Sequence, residues 1–92
     1  MVKTIKQLER HFKGIANHRR LEILYLINGS EGITLDEIAY RLKCNLKTIA
    51  EHTKRLTHAG LVTKKYKGRN VCHRLSDLGK EILKFVETFR LS

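Results

Sequence analysis

The chain has 92 residues, 41% of them hydrophobic, with 19 Lys and Arg against 9 Asp and Glu for a formal charge of +10. That length fits one domain, residues 1–92, with one modest core and no room for a second. No apolar run approaches the roughly 20 residues of a membrane span, no signal-peptide apolar region opens the chain, and 2 cysteines without motif spacing make no disulfide framework, so a soluble cytoplasmic or nucleoid-associated protein is expected.

Thr4 and Gln7 have capping-box spacing and predict a first helix. Ile5, Leu8, Phe12 and Ile15 follow at helical intervals, and Gly14 marks where the helix should fray. Asn17 then caps a second helix, HRRLEILYLING, whose near-continuous apolar run from Leu21 to Ile27 predicts a central place in the core. Gly29 ends it, and Ser30-Glu31-Gly32 form a loop.

Thr34 with Glu37 is a second capping box. It opens a helix to about Leu42 with Leu35, Ile38, Ala39 and Leu42 on one face. Lys43 and Cys44 make a tight turn, Asn45 caps the next helix, about 46–59, and Gly60 supplies its C′ residue. Ile49, Thr53 and Leu56 mark the inner side of that helix. At about 100° per residue, Lys47, Glu51, Lys54 and His58 fall opposite Ile49, with Thr48 and Arg55 on one flank and Ala50 on the other. A capped short helix, a tight turn and a longer helix with a basic outer face constitute a helix-turn-helix.

After Gly60 the pattern becomes β. Leu61 to Tyr66 and Val71 to Leu75 are rich in β-branched and aromatic residues, with turn residues from Tyr66 to Asn70 between them. This predicts a hairpin, a wing over about 61–75, with Leu61, Val71, His73 and Leu75 inward, Lys64 and Lys65 on its first strand, and Lys67, Arg69 and Asn70 at its tip. Ser76 caps the last helix, where Leu78, Ile82, Phe85, Val86 and Phe89 form a broad stripe and Leu83 falls outside it. The fold class is therefore mainly α with a small hairpin, a winged helix-turn-helix. The apolar surface of the first and last helices exceeds what one small core needs, which predicts a homodimer through Ile5, Leu8, Phe12, Leu83, Val86 and Phe89.

Charge is concentrated where the motifs are. Between Lys43 and Arg74 there are nine basic residues and one acid, Glu51, so +8 of the +10 lies in about a third of the chain. A polyanion partner, double-stranded DNA, is the expectation. Asn45, Lys47, Thr48, Glu51, Lys54 and Arg55 on the helix, with Lys64, Lys65, Lys67, Arg69 and Asn70 on the wing, are the candidate contacts. Glu51 fits two roles equally: accepting a hydrogen bond from a cytosine amine, or pairing at i,i+4 with Lys47 or Arg55. His52, on the flank of the inner face, fits a half-buried residue better than a base contact.

Little else suggests chemistry. Gly-rich phosphate loops, nucleophile–base pairs and paired carboxylates are missing, so no enzyme, cofactor or small-molecule effector is expected. Cys44, Cys72 and the five histidines, His11, His18, His52, His58 and His73, form neither a C-x-x-C nor an H-x-x-x-H of ligand geometry, so no metal site is expected either. Cys44 should plug into the core as a small hydrophobe.

Three stretches together resemble the ArsR-like branch of winged-helix transcriptional regulators: Ile15 to Leu24, with Asn17-His18 in place of the usual Asp-Pro; Leu35 to Val62; and Gly68 to Leu75. The exit Leu75-Ser76-Asp77-Leu78-Gly79 is similar to winged-helix exits generally. The resemblance implies a homodimeric DNA-binding repressor, with Lys47, Thr48, Glu51 and Arg55 facing bases or nearby phosphates and Lys67, Arg69 and Asn70 serving the wing. Thr53 stands where that family usually has Leu, and the cysteine pair of the metal-sensing members is absent from Thr34 to Leu42. A winged-helix module contacting protein or RNA in a larger assembly, or a metal- or redox-responsive sensor, is the alternative.

Overall fold

The computed structural model describes residues 2–92. In chain order it contains α1 (Ile5–Ile15), α2 (His18–Gly29), α3 (Leu35–Leu42), α4 (Leu46–His58), β1 (Val62–Lys67), β2 (Asn70–Leu75) and α5 (Asp77–Arg90). Each helix starts at a side chain that can accept from its free N–H groups. Thr4 and Thr34 form complete capping boxes with Gln7 and Glu37, and Asn17, Asn45 and Ser76 cap the other three.

α2 lies at the centre and packs against α1, α4, α5 and β2. Its Ile23, Leu24 and Ile27 are fully buried and meet Ile38 of α3, Ile49 and Leu56 of α4, and Leu61, Val62 and Leu75 in one core. α4 ends in a Schellman motif: Leu61 N–H donates to the Leu56 carbonyl and Gly60 N–H to that of Thr57, with Gly60 at φ +77°. The α3–α4 turn uses the same pattern, Cys44 to Ala39 and Lys43 to Tyr40, but the left-handed position is held by Lys43 at φ 52°. A glycine would adopt that conformation without steric cost.

The hairpin is tighter than the sequence suggests. The expected five-residue turn, Tyr66 to Asn70, is a two-residue turn, Gly68-Arg69, because β1 runs on to Lys67 and pairs it with Asn70. Gly68 at φ +61° in the first turn position matches the sense of strand twist. Ile33 adds a bridge on the other edge of β2, with Gly32 N–H donating to the His73 carbonyl and His73 N–H to that of Ile33.

The apolar stripe of α5 is disposed differently from expectation. Leu83, placed outside the α5 stripe and in the dimer surface, is 5% exposed and belongs to the core. Phe85 and Phe89, at 49% and 65% exposure, point outward instead and pack edge to face. Val86 is half-buried against the core. α1 turns its Gly14–Ile15 end inward while Ile5, Leu8 and Phe12 remain exposed. Gly14 is required there, since a Cβ would stand 2.6 Å from the Ala59 Cβ. At the start of α5, a Cβ on Gly79 would stand 2.1 Å from the Leu61 carbonyl oxygen, so the wing exit accepts only glycine at this approach.

Candidate nucleic-acid interface

α4 is held by its inner side and displayed by its outer one. Asn45 Oδ1 accepts from Lys47 N–H at 2.8 Å and Thr48 N–H at 3.3 Å, which fixes the first turn. Ile49, Thr53 and Leu56 are buried. Thr53 is buried at 1% exposure at no polar cost, because its hydroxyl donates back to the Ile49 carbonyl at 2.8 Å. With that side anchored, Lys47, Thr48, Glu51, Lys54 and Arg55 all face solvent, as the helical wheel predicts.

Glu51 has a partner: its carboxylate lies 3.5 Å from Arg55 Nε at i,i+4. Lys47 and Lys54 have no carboxylate within ion-pair distance among the described residues, so their charge is available to a partner. Asn45, also exposed, has its oxygen committed to the cap and only its amide N–H groups left to offer. His52 is half-buried, with Nδ1 enclosed and unpartnered. Burial, and then the charges of Arg20, Arg19 and Arg55, hold its pKa below the ordinary histidine value.

On the wing, opposed residues share a face, and this divides the expected cations. Lys65 opposes Cys72 and Lys67 opposes Asn70, so both lie on the face that carries Arg74. Lys64 opposes His73 and lies on the other face with Tyr66. Arg69 sits in the turn itself. All five wing candidates, Lys64, Lys65, Lys67, Arg69 and Asn70, are exposed. The root of the wing is tied to the loop before α3. His73 is fully buried, and its Nδ1 lies 3.0 Å from the Ile33 carbonyl, which also accepts the His73 backbone N–H. Burial lowers the His73 pKa, that carbonyl opposes the shift, and Lys64 adds to it.

Two groups of cations escaped the sequence reading. Arg74 joins the Lys65–Lys67 face, although it is partly engaged by Glu31 at 3.6 Å. Lys6, Arg10 and Lys13 of α1 and Arg20 of α2 line an open cleft with Arg55 and His58 of α4. Their spacing at positions 6, 10 and 13 is itself a helical stripe, a signal present in the sequence. What the sequence could not show is that this stripe faces α4.

Cys44 and Cys72 are both free and half-buried, and Cys44 packs against the core as a hydrophobe. Among the described residues, no three His, Cys, Asp or Glu side chains are placed to hold a metal ion. No helix among them is long and apolar enough to cross a membrane.

Residues 15–76 match the HVO_A0114 family. The chain belongs to that family. Among solved structures, this HVO_A0114 family member is similar to the homodimeric winged helix-turn-helix DNA-binding domain of Mb0332 from Mycobacterium bovis, described as a possible ArsR-family transcriptional regulator. The two are 28% identical, with a TM-score of 0.85 over 94% of this chain and 80% of that one. HlyU from Vibrio cholerae N16961 is 25% identical, with a TM-score of 0.84 over 100% of both chains. FabT from Streptococcus pneumoniae, solved in complex with DNA, shares the fold alone: 17% identity and a TM-score of 0.73 over 78% of this chain and 52% of that one. No curated protein matches the sequence. The architecture is an ArsR-like winged helix-turn-helix, the fold that the residue patterns and the resemblance both predict.

Proposed function

We propose that this HVO_A0114 family member is a sequence-specific regulator of transcription that binds double-stranded DNA as a homodimer and acts as a repressor in the cytoplasm or nucleoid. The observation that carries this reading is the outward face of α4, where Lys47 and Lys54 stand exposed without ion-pair partners among the described residues, in a chain whose hairpin also carries exposed cations. α4 enters the major groove, with Lys47, Thr48, Glu51 and Arg55 near bases or flanking phosphates. The wing, through Lys65, Lys67, Arg69 and Asn70, reaches the adjacent backbone or minor groove. Lys64, on the opposite wing face, is a weaker candidate for the same strand.

The second copy docks on the apolar surface of α1 and α5. Ile5 at 80% exposure, Leu8, Phe12 and Phe89 stand outside the core, and Phe85 takes the place that the sequence assigned to Leu83. A two-fold dimer sets its recognition helices about 34 Å apart and reads a pseudo-palindrome. The likeness to Mb0332, a homodimeric DNA-binding domain, supports this reading.

Selection from random duplex DNA tests it. An enriched two-fold motif, bound with a steep salt dependence, is expected. Failure to enrich any motif would sink the regulator and favour a winged-helix module that contacts protein or RNA within an assembly.

A further inference from the structure

The cleft between α1, the start of α2 and the second half of α4 has a volume of about 480 Å³ and is lined by Lys6, Arg10, Lys13, Arg20, Arg55 and His58, with Glu9 the one carboxylate. Five permanent cations against one acid leave it strongly positive. Among the described residues Glu9 engages only Lys13, at 3.8 Å, and Arg55 pairs with Glu51 outside the cleft. Lys6, Arg10 and Arg20 have no ion-pair partner among the described residues. On α5, by contrast, Lys84 and Arg90 are each matched by a glutamate one helical turn away. Arg20 is also held in place. Its guanidinium donates to the Lys13 carbonyl at 3.3 Å, while its Nε is buried without an acceptor. The His52 pKa is lowered first by burial and then by Arg20, Arg19 and Arg55, two of which, Arg20 and Arg55, line the cleft.

From this we infer that the cleft is a phosphate-binding site, occupied by the DNA backbone on the flank of α4 turned toward α1 and α2. The inference rests on the regulator reading above. A helix lodged in a major groove about 12 Å wide has a phosphodiester strand along each flank. Arg55 belongs both to the outward face of α4 and to the cleft, so the two surfaces are continuous. This cleft is open and walled chiefly by charged side chains, as a passing polyanion requires. The stripe Lys6–Arg10–Lys13 is separate from Ile5, Leu8 and Phe12 on α1, so a second copy on the apolar stripe leaves the cations free.

The test is the salt dependence of binding to the selected duplex, measured for the parent, for Lys6→Gln with Arg10→Gln, and for Lys80→Gln as a remote control on α5. All three side chains are exposed, so the fold is expected to stand. The double variant should flatten the log–log slope by about 2, about 1 per lost phosphate contact. Between about 50 and 200 mM salt its affinity should then fall about tenfold less than the parent's. Glu9→Gln should shift binding the other way, toward higher affinity. Lys80→Gln should leave the slope as it is.

A parent that binds and a double variant with the parent's slope would overturn the cleft assignment alone. A parent without DNA binding would overturn the regulator reading and the cleft with it. An equal effect from Lys80→Gln would reduce the result to net charge and also refute the site. In a separate arm, inorganic pyrophosphate is titrated without DNA. Saturation at micromolar concentration, together with an unchanged DNA slope, would assign the cleft to a soluble phosphorylated ligand and refute the proposal.

Discussion

α4 and α5 are amphipathic helices of 13 and 14 residues on the same core, yet they present opposite surfaces. The outer face of α4 carries Lys47 and Lys54 without ion-pair partners among the described residues, and the helix's large apolar side chains, apart from Leu46 at the start, are buried. The outer face of α5 carries the Phe85–Phe89 pair, and its Lys84 and Arg90 are neutralised by Glu81 and Glu87. Arg90 also lies over the Tyr25 ring at 4.7 Å, and the Tyr25 hydroxyl donates to Glu87, tying the end of α5 to α2. One face keeps charge uncompensated, as a polyanion partner would require, and the other balances charge around exposed aromatic area, as the proposed second copy would require. Amphipathicity alone therefore says which side of a helix is outside; how its charges are paired says what the outside is for.

The largest expected effect attacks the α5 side. Phe85→Asp with Phe89→Asp removes two aromatic anchors, each worth about 2 kcal/mol at an interface. Self-association should weaken on the order of a thousandfold. Sedimentation reads this directly, and unchanged association would remove α5 from the interface. Gly79→Ala should come next, destabilising the fold by about 1–3 kcal/mol through the clash with Leu61. For a domain this small, that lowers the melting temperature by several degrees; a variant melting with the parent would show that α5 shifts at no cost.

Acid should weaken the anchoring of the basic side. His73 and His52 both have pKa values lowered from 6.5 in the folded state. The unfolded chain thus binds more protons than the folded one below that pH. Their stabilisation is complete above pH 6.5 and is lost as pH falls toward the lowered folded values. Each contributes a slope of at most about 1.4 kcal/mol per pH unit. Chemical denaturation of the parent and of His73→Gln between about pH 7 and 5 checks this. The variant should show the shallower pH dependence, and equal slopes would contradict the buried neutral imidazole.

Smaller effects probe α4 itself. Lys43→Gly should stabilise the fold by a net of about 0.5–1 kcal/mol, because glycine holds the left-handed turn without Cβ strain and loses only part of that gain to chain entropy. A loss of stability would mean that the Lys43 side chain does more than cap. Glu51→Ala should change stability by no more than about 0.5 kcal/mol, since its pair with Arg55 is more than half exposed. Repeating the DNA selection with this variant separates the two roles of Glu51. Tighter binding with unchanged base preference fits the surface pair, and a changed base at one position would establish readout.

Local signals fixed the helices because capping is written in adjacent residues. Thr4 with Gln7, Asn17, Thr34 with Glu37, Asn45 and Ser76 each satisfy N–H groups within three positions, so every helix start was legible. The outer face of α4 was equally legible, because one buried residue, Ile49, sets the rotation of the whole helix. The inner hydroxyl of Thr53 looked like a defect and proved satisfied within its own turn.

What the sequence by itself determined is the set of elements, their caps, the winged helix-turn-helix order and the basic outward strip. Only the tertiary structure decided that Leu83 packs inward while Phe85 looks out, that Lys64 parts from Lys65 and Lys67, and that cations of α1 and α2 converge on Arg55. The physical reason is range. Caps and helical periodicity act within a turn or two of chain, whereas the angle at which α5 leaves the wing, set by the contact of Gly79 with Leu61, and the approach of α1 to α4 at Gly14 and Ala59 depend on residues far apart in sequence.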